Sequence, residues 1–158
     1  MGFGLALAPS KTWTPKGQGR QFAIPTCSNK GRLNLIGVLD YASNTLSYRD
    51  LEGNANAQKC FAFLNDLAQQ ADPSKLTVVV LDNAPFHHAK LIENQRESWQ
   101  KQGLFLRFLP PYSPHLNPIE TLWRKLKGFL LPRRCYPSLS ELKQAVFSVL
   151  KSLNAIIM

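Results

Sequence analysis

At 158 residues the chain fits a single domain, and a chain of this length buries roughly 68–70% of the surface its unfolded form exposes. A hydrophobic content of 44% with 18% charged residues excludes intrinsic disorder, and no apolar run reaches the roughly 18 residues of a membrane span. The net charge of +9 is concentrated in residues 83–158, which hold 11 Lys and Arg against 4 Asp and Glu. Such a surplus suggests a polyanion partner, most often nucleic acid, although a merely basic protein fits the charge alone equally well.

The opening MGFGLALAPS lacks a basic first segment and its apolar run stops at Pro9, which argues against a signal peptide. Residues 9–31 mix Pro, Gly and basic side chains and read as turns with short extended pieces. Arg32–Asp40 is predicted as a buried strand and Thr45–Arg49 as its hairpin partner, with Ala42-Ser43-Asn44 turning between them. Asn54–Gln70 carries a helical stripe at Cys60, Phe61, Leu64, Leu67 and Ala68. After the break at Asp72-Pro73-Ser74, the valine-rich Leu76–Leu81 reads as a central strand covered on both faces. His88–Gln102 is a second helix with Leu91, Ile92, Gln95 and Trp99 on one side, stopped by Gly103. Leu104–Leu109 is a further strand. A proline-rich segment leads into a helix over Pro118–Leu131, with Ile119, Leu122, Trp123, Leu126 and Phe129 or Leu130 as its buried stripe. Ser140 opens a last helix with Glu141 in its first turn. This order predicts an α/β domain, a mixed sheet with helices on its faces.

Cys27, Cys60 and Cys135 show neither metal-type spacing nor a disulfide framework, which fits a reducing, cytoplasmic compartment. His87 and His88 have no Cys or His partner at a zinc-type spacing.

Two carboxylates stand out. Asp82 follows the valine-rich strand directly, at the carboxyl end where ligands gather in open α/β sheets, and Pro85 delays the next helix. It serves equally well as a turn cap. Glu120 falls at the third position of the proline-led helix, with Asn117 as N-cap and Pro118 at N1. A cap, or an ion pair with Arg124, explains it as an isolated residue. Pro110, Pro111, Pro114 and Pro118 restrict the backbone between the last strand and this helix, so the segment can fix where Glu120 points. Carboxylates held close repel unless a cation lies between them, and oxygen ligands of that kind select Mg²⁺ or Mn²⁺. Two such ions a few ångströms apart serve in-line phosphoryl transfer.

The blocks VVLDNAPFHHA and LPPYSPHLNPIETLWRKLK resemble the second and third catalytic blocks of mariner-type transposases. More narrowly they resemble the bacterial insertion-sequence branch, whose domain is called a DDE superfamily endonuclease. TWTPKGQ at Thr12–Gln18 and LNLIGVLD at Leu33–Asp40 extend the resemblance over nearly the whole chain. It implies a ribonuclease-H-like fold, three carboxylates binding two Mg²⁺ (or Mn²⁺) ions, hydrolysis at transposon ends and strand transfer into target DNA. Asp82 takes the second acidic position and Glu120 the third. Asn83 and His87 stand beside the metal site, and Asn117 and Pro118 position Glu120. The family's first aspartate lies on a strand a few residues before the Gly-Phe that appears here as Gly2-Phe3. That strand, its aspartate and the preceding helix-turn-helix region are therefore expected to be absent from residues 1–158. Asp40, which ends the strand corresponding to the family's second, is a poor replacement because its register and distance are wrong, and Asp50 is a poorer one.

With two of three acids, the chain is expected to be inactive by itself, a remnant or the downstream half of a split frame. Its partners would be DNA, a second copy or an upstream transposase fragment. The rival reading is a non-catalytic, basic nucleic-acid-binding remnant or regulator of an intact transposase. Arg124, Lys125 and Lys127, with Arg133 and Arg134, suit DNA backbone contact beside Glu120, as does Lys16 near the start. A solvated helix face is the plainer alternative.

Overall fold

A computed structural model describes residues 1–4, 31–111, 113–131 and 135–158. The first described strand, β1 (Gly2–Gly4), pairs antiparallel with β2 (Arg32–Asp40), Phe3 opposite Leu33. β2 turns back through a hairpin into β3 (Thr45–Leu51). The turn closes because the Asp40 carboxylate accepts from the Ala42 N–H (2.9 Å) and the Ser43 hydroxyl (2.7 Å), and Asn44 takes the left-handed conformation its type tolerates (φ 55°).

α1 (Ala57–Gln70) follows, its first turn capped by Asn56 accepting from the Lys59 N–H. β4 (Thr77–Leu81), α2 (Lys90–Lys101) and β5 (Leu104–Phe108) form one unit: β4 and β5 are parallel, and α2 supplies the crossover that parallel pairing requires. Gly103 joins α2 to β5 at φ +87°, and a Cβ there would lie 2.9 Å from the Lys75 carbonyl and 3.0 Å from that of Asp72. α3 (Pro118–Lys125) comes after the proline segment. α4 (Leu139–Ser152), capped by Ser138, leads to β6 (Ile156–Ile157), which pairs parallel with β3.

Two apolar clusters hold these elements. One joins Phe3, Leu33, Leu35, Leu46 and Tyr48 of the sheet to Trp123, Leu126, Leu142, Val146 and Leu150. The other joins Cys60, Leu64 and Ala68 of α1 to Val79, Ile92, Trp99, Leu104 and Leu106. Strand alternation lets β2 serve both, since Leu35 belongs to the first cluster while its neighbour Ile36 packs against the second. α3 and α4 therefore cover one side and α1 and α2 the other. The one largely buried amide of β2, Asn34, donates to the Gly53 carbonyl at 2.8 Å.

Several expectations need adjustment. Gly2–Gly4, which the sequence places beyond the family's first strand, are themselves an edge strand. The strands divide into a mixed four-stranded sheet, β1-β2-β3-β6, and a two-stranded β4-β5 sheet; among the described residues no strand bonds to both. The helix expected to Leu131 is α-helical only to Lys125. It then widens into a π-turn over Leu126–Leu130, closed by the Leu131 N–H on the Leu126 carbonyl (3.1 Å). The wider turn shifts the inward stripe by a residue, so Leu131 is buried while Phe129 is 83% exposed and Leu130 is also exposed. Leu91 is exposed on α2, and Phe63 rather than Phe61 is fully inside on α1. Cys135 is disulfide-bonded, because proximity in the fold and not sequence spacing decides pairing, while Cys60 is a buried free thiol. The turns expected over 9–31 fall almost entirely outside the described residues. Among those described, no helix is long and apolar enough to cross a membrane.

Trp123 is the point at which α3 meets the sheet. A Cβ on Gly37 would lie 3.0 Å from its Cζ2 and 3.1 Å from the Ser47 carbonyl. Gly37→Val is therefore expected to destabilise the fold by about 1–3 kcal/mol through overpacking, measured as a lowered urea midpoint with unchanged slope.

Candidate active site

β4 and β5 finish at the same edge, where the Leu109 N–H donates to the Leu81 carbonyl at 2.9 Å. Asp82 and Asn83 follow β4 at once. Asn83 Nδ2 donates to the Leu109 carbonyl, so the loop after one strand is tied to the end of the other. The next residues do not enter α2 directly. A short 3-10 turn over Pro85–His88, which the helical pattern in the sequence does not reveal, carries His87 back beneath Asp82.

His87 Nδ1 donates to Asp82 Oδ1 at 2.8 Å and lies 3.0 Å from the Asp82 carbonyl. The Ala84 N–H donates to the same Oδ1 at 3.1 Å. Oδ2 has no such bond among the described residues, and the Asp82 side chain is half exposed while that of His87 is 11% exposed. Burial opposes the charge on His87. Hydrogen bonds with the Asp82 carboxylate, Cys60 and the Asp82 carbonyl outweigh it and raise its pKa to about 10. The His87 hydrogen bond in turn holds the Asp82 carboxyl below its ordinary value against partial burial, with help from the Ala84 N–H. The result is an ionised aspartate with one oxygen anchored and the other available.

Glu120 comes from the other half of the molecule. Pro118 occupies N1 of α3 and Asn117 the N-cap position, as predicted, but the Asn117 side chain makes no cap bond. Among the described residues there is neither a Glu120 bond back to the Asn117 amide nor a Glu120–Arg124 ion pair. Pro118 thus opens the helix without a capping box among the described residues.

Asp82, Asn83, Ala84, Leu109, Pro110, Ser113, Asn117 and Glu120 line one open cleft of about 260 Å³. Four predicted residues, Asp82, Asn83, Asn117 and Glu120, thus meet across the two halves. Pro118 sits behind Glu120 and His87 behind Asp82. The amino-terminal ammonium of Met1 donates to the Leu35 carbonyl at 2.7 Å. Nothing in the sequence signals that Leu109 and Ser113 line this cleft, because Leu109 reads only as the end of a strand and Ser113 sits among prolines.

Asp40 is spent on its turn and Asp50 pairs with Lys143, and neither lines the cleft. Arg124 and Lys125 are exposed on α3, and Lys127 is in the π-turn. Lys16, Arg133 and Arg134 lie outside the described residues. His88 stacks on Phe108 (centroids 4.3 Å apart) with Nε2 3.2 Å from Asn83 Oδ1, bracing the loop without facing a metal. Among the described residues no group of three or more His, Cys, Asp and Glu is placed to hold a metal ion. The cleft lining includes two carboxylates and the side-chain oxygens of Asn83, Asn117 and Ser113, a donor set that suits one hard divalent cation and not a thiolate or imidazole site.

The family description that fits residues 1–143 is DDE superfamily endonuclease, and the chain belongs to that family. The crystal structure of the Mos1 strand transfer complex superposes with a TM-score of 0.60 at 16% identity, covering 96% of this chain and 49% of that one. That likeness shows the ribonuclease-H-like fold expected from the sequence. The uncharacterized protein y4pE/y4sA of Sinorhizobium fredii is 27% identical over 79 residues, 50% of this chain and 54% of that protein. The chain thus spans about half the length of each relative.

Asn83→Ala removes two exposed bonds, to the Leu109 carbonyl and to His88, and is expected to lower stability by about 0.5–1.5 kcal/mol. His87→Ala strips a buried partner from Asp82 and should cost more, about 1–3 kcal/mol. Urea denaturation of the two variants side by side checks the order.

Proposed function

We propose that residues 1–158 form a single transposase catalytic domain whose chemistry is cleavage of DNA phosphodiesters and transfer of the cut strand to target DNA. The observation that carries this reading is the meeting of Asp82, at the end of β4, and Glu120, at the start of α3, in one cleft. Nothing in the packing of either half needs a carboxylate there. In this reading Asp82 and Glu120 are the second and third acidic residues and ligate Mg²⁺ or Mn²⁺.

Bound there, the cation offsets the carboxylate charges and supplies Lewis-acid polarisation of a phosphoryl oxygen. The chain's own residues do the rest. His87 and the Ala84 amide keep Asp82 ionised and oriented. Asn83 ties the loop to β5, and Asn117 and Pro118 set the direction of Glu120. Arg124, Lys125 and Lys127 take backbone phosphates of transposon-end and target DNA, joined in this proposal by Lys16, Arg133 and Arg134. In this reading the protein works in the cytoplasm, where the disulfide at Cys135 would be held reduced.

Two carboxylates suit one ion, and the two-ion site implied by the resemblance needs further ligands. The isolated chain is therefore proposed to cut DNA poorly or not at all, and a third carboxylate from an upstream transposase fragment or a second copy would complete it. The small number of acidic ligands among the described residues also favours a second reading, a basic DNA-binding regulator that never cuts.

Mn²⁺ titration followed by calorimetry, with a nicking assay on the same samples, separates these. We expect one weak site per chain, abolished in both Asp82→Ala and Glu120→Ala, with negligible cutting. Strong cutting that Asp82→Ala abolishes would keep the transposase reading and overturn the proposed defect. Mn²⁺ binding indifferent to both substitutions would end the nuclease reading and leave the regulator.

A further inference from the structure

We propose that Arg32 and Lys127 form a phosphodiester-binding surface on the Glu120 side of the cleft, built around β1. The proposal deepens the DNA reading above and rests on it.

Arg32 opens β2 directly opposite Gly4. Its guanidinium lies across β1 against Gly2, so closely that a methyl group on Gly2 would collide with Nε, Cζ and Nη2. Gly2 thus makes room for a cation at the sheet edge. Lys127 approaches the same strand from the helical side, its ammonium 5.5 Å from the ring centroid of the buried Phe3. The π-turn that holds Lys127 sets it apart from Arg124 and Lys125, which stay on the regular part of the helix.

These two cations converge on one strand. Among the described residues neither joins an ion pair, as is also true of Arg107, Arg124 and Lys125, but only these two are placed against β1, Arg32 at Gly2 and Lys127 at Phe3. Lys127 is pushed below its ordinary pKa by burial and by Arg32, and Glu120 only partly offsets this. Two like charges held within reach of each other and of one carboxylate leave local positive potential. An anion with several oxygens relieves it. The planar guanidinium fork suits a bidentate phosphate and the ammonium adds a point charge. A phosphodiester strand entering the cleft beside Glu120 presents such oxygens, and free phosphate shares the chemistry.

The test uses the full chain and a short DNA duplex. Fluorescence anisotropy at several salt concentrations compares the parent with Arg32→Gln, Lys127→Met, the double variant and a control, Lys101→Ala, at the end of α2. Each substitution beside β1 should weaken binding several-fold near 0.1 M salt, and flatten the log–log salt dependence by roughly 0.9 for each phosphate no longer neutralised. The control should change little. Mn²⁺ binding at Asp82 and Glu120 should be retained or tightened in the same variants, which reports an intact fold and keeps this test separate from that of the nuclease reading. An unchanged salt slope in the double variant, with Mn²⁺ binding preserved, would overturn the proposal, leaving Arg32 and Lys127 as counter-charges to Glu120. Inorganic phosphate competing as strongly as the duplex would overturn the assignment to a DNA strand.

Discussion

The contact between Trp123 and the backbone of Gly37 fixes the geometry on which the cleft depends. Asp82 belongs to the half of the molecule covered by α1 and α2, Glu120 to the half covered by α3 and α4. No described strand bonds the two sheets together, so the relation between the acids rests on side-chain packing across β2. Burying Trp123 and Leu126 outweighs the roughly 1 kcal/mol that the silent Asn117 cap forgoes. The helix is held from its middle, which leaves its first turn open to the cleft.

Charge is arranged in the cleft by the same logic. An aspartate facing water usually needs no help to ionise. Here a buried imidazolium beneath it restricts rotation and commits one oxygen, so that only the other faces outward. The cost of burying the imidazolium is offset by its hydrogen bonds to Asp82 and Cys60, which is why its proton is held so firmly. Glu120 has no such anchor among the described residues. The two carboxylates are thus held differently: Asp82 is fixed by hydrogen bonds, and Glu120 has none of that kind among the described residues.

Much of this was legible in the sequence because the strongest signals are local. The apolar run in Arg32–Asp40 and the valine run to Leu81 place strands, and the end of the latter places Asp82 at a sheet edge; the valine run is not covered on both faces as expected, because Val78 and Val80 are exposed and β4 pairs only with β5 among the described residues. The proline at N1 places Glu120 to the residue. What escaped was whatever depends on contacts distant in sequence. β6 is two residues long and exists only because β3 offers it an edge. The 3-10 turn that brings His87 beneath Asp82 is masked by a helical pattern starting nearby. Arg32 looks like an ordinary strand-opening residue until β1 folds beneath it. Phe129 is expected inside only when a 3.6-residue period is extended through a segment that does not keep it.

The π-turn also shapes how this chain tolerates change in length. It amounts to one residue more than an α-helix would use between Leu126 and Leu131. Removing one residue there would restore ordinary helical pitch, yet turn everything beyond it by about 100° relative to the core. Leu131 would leave the interior and the path toward Tyr136 and α4 would be redirected. Within these five positions the fold distinguishes a deletion sharply from a substitution, although most of the side chains concerned are exposed.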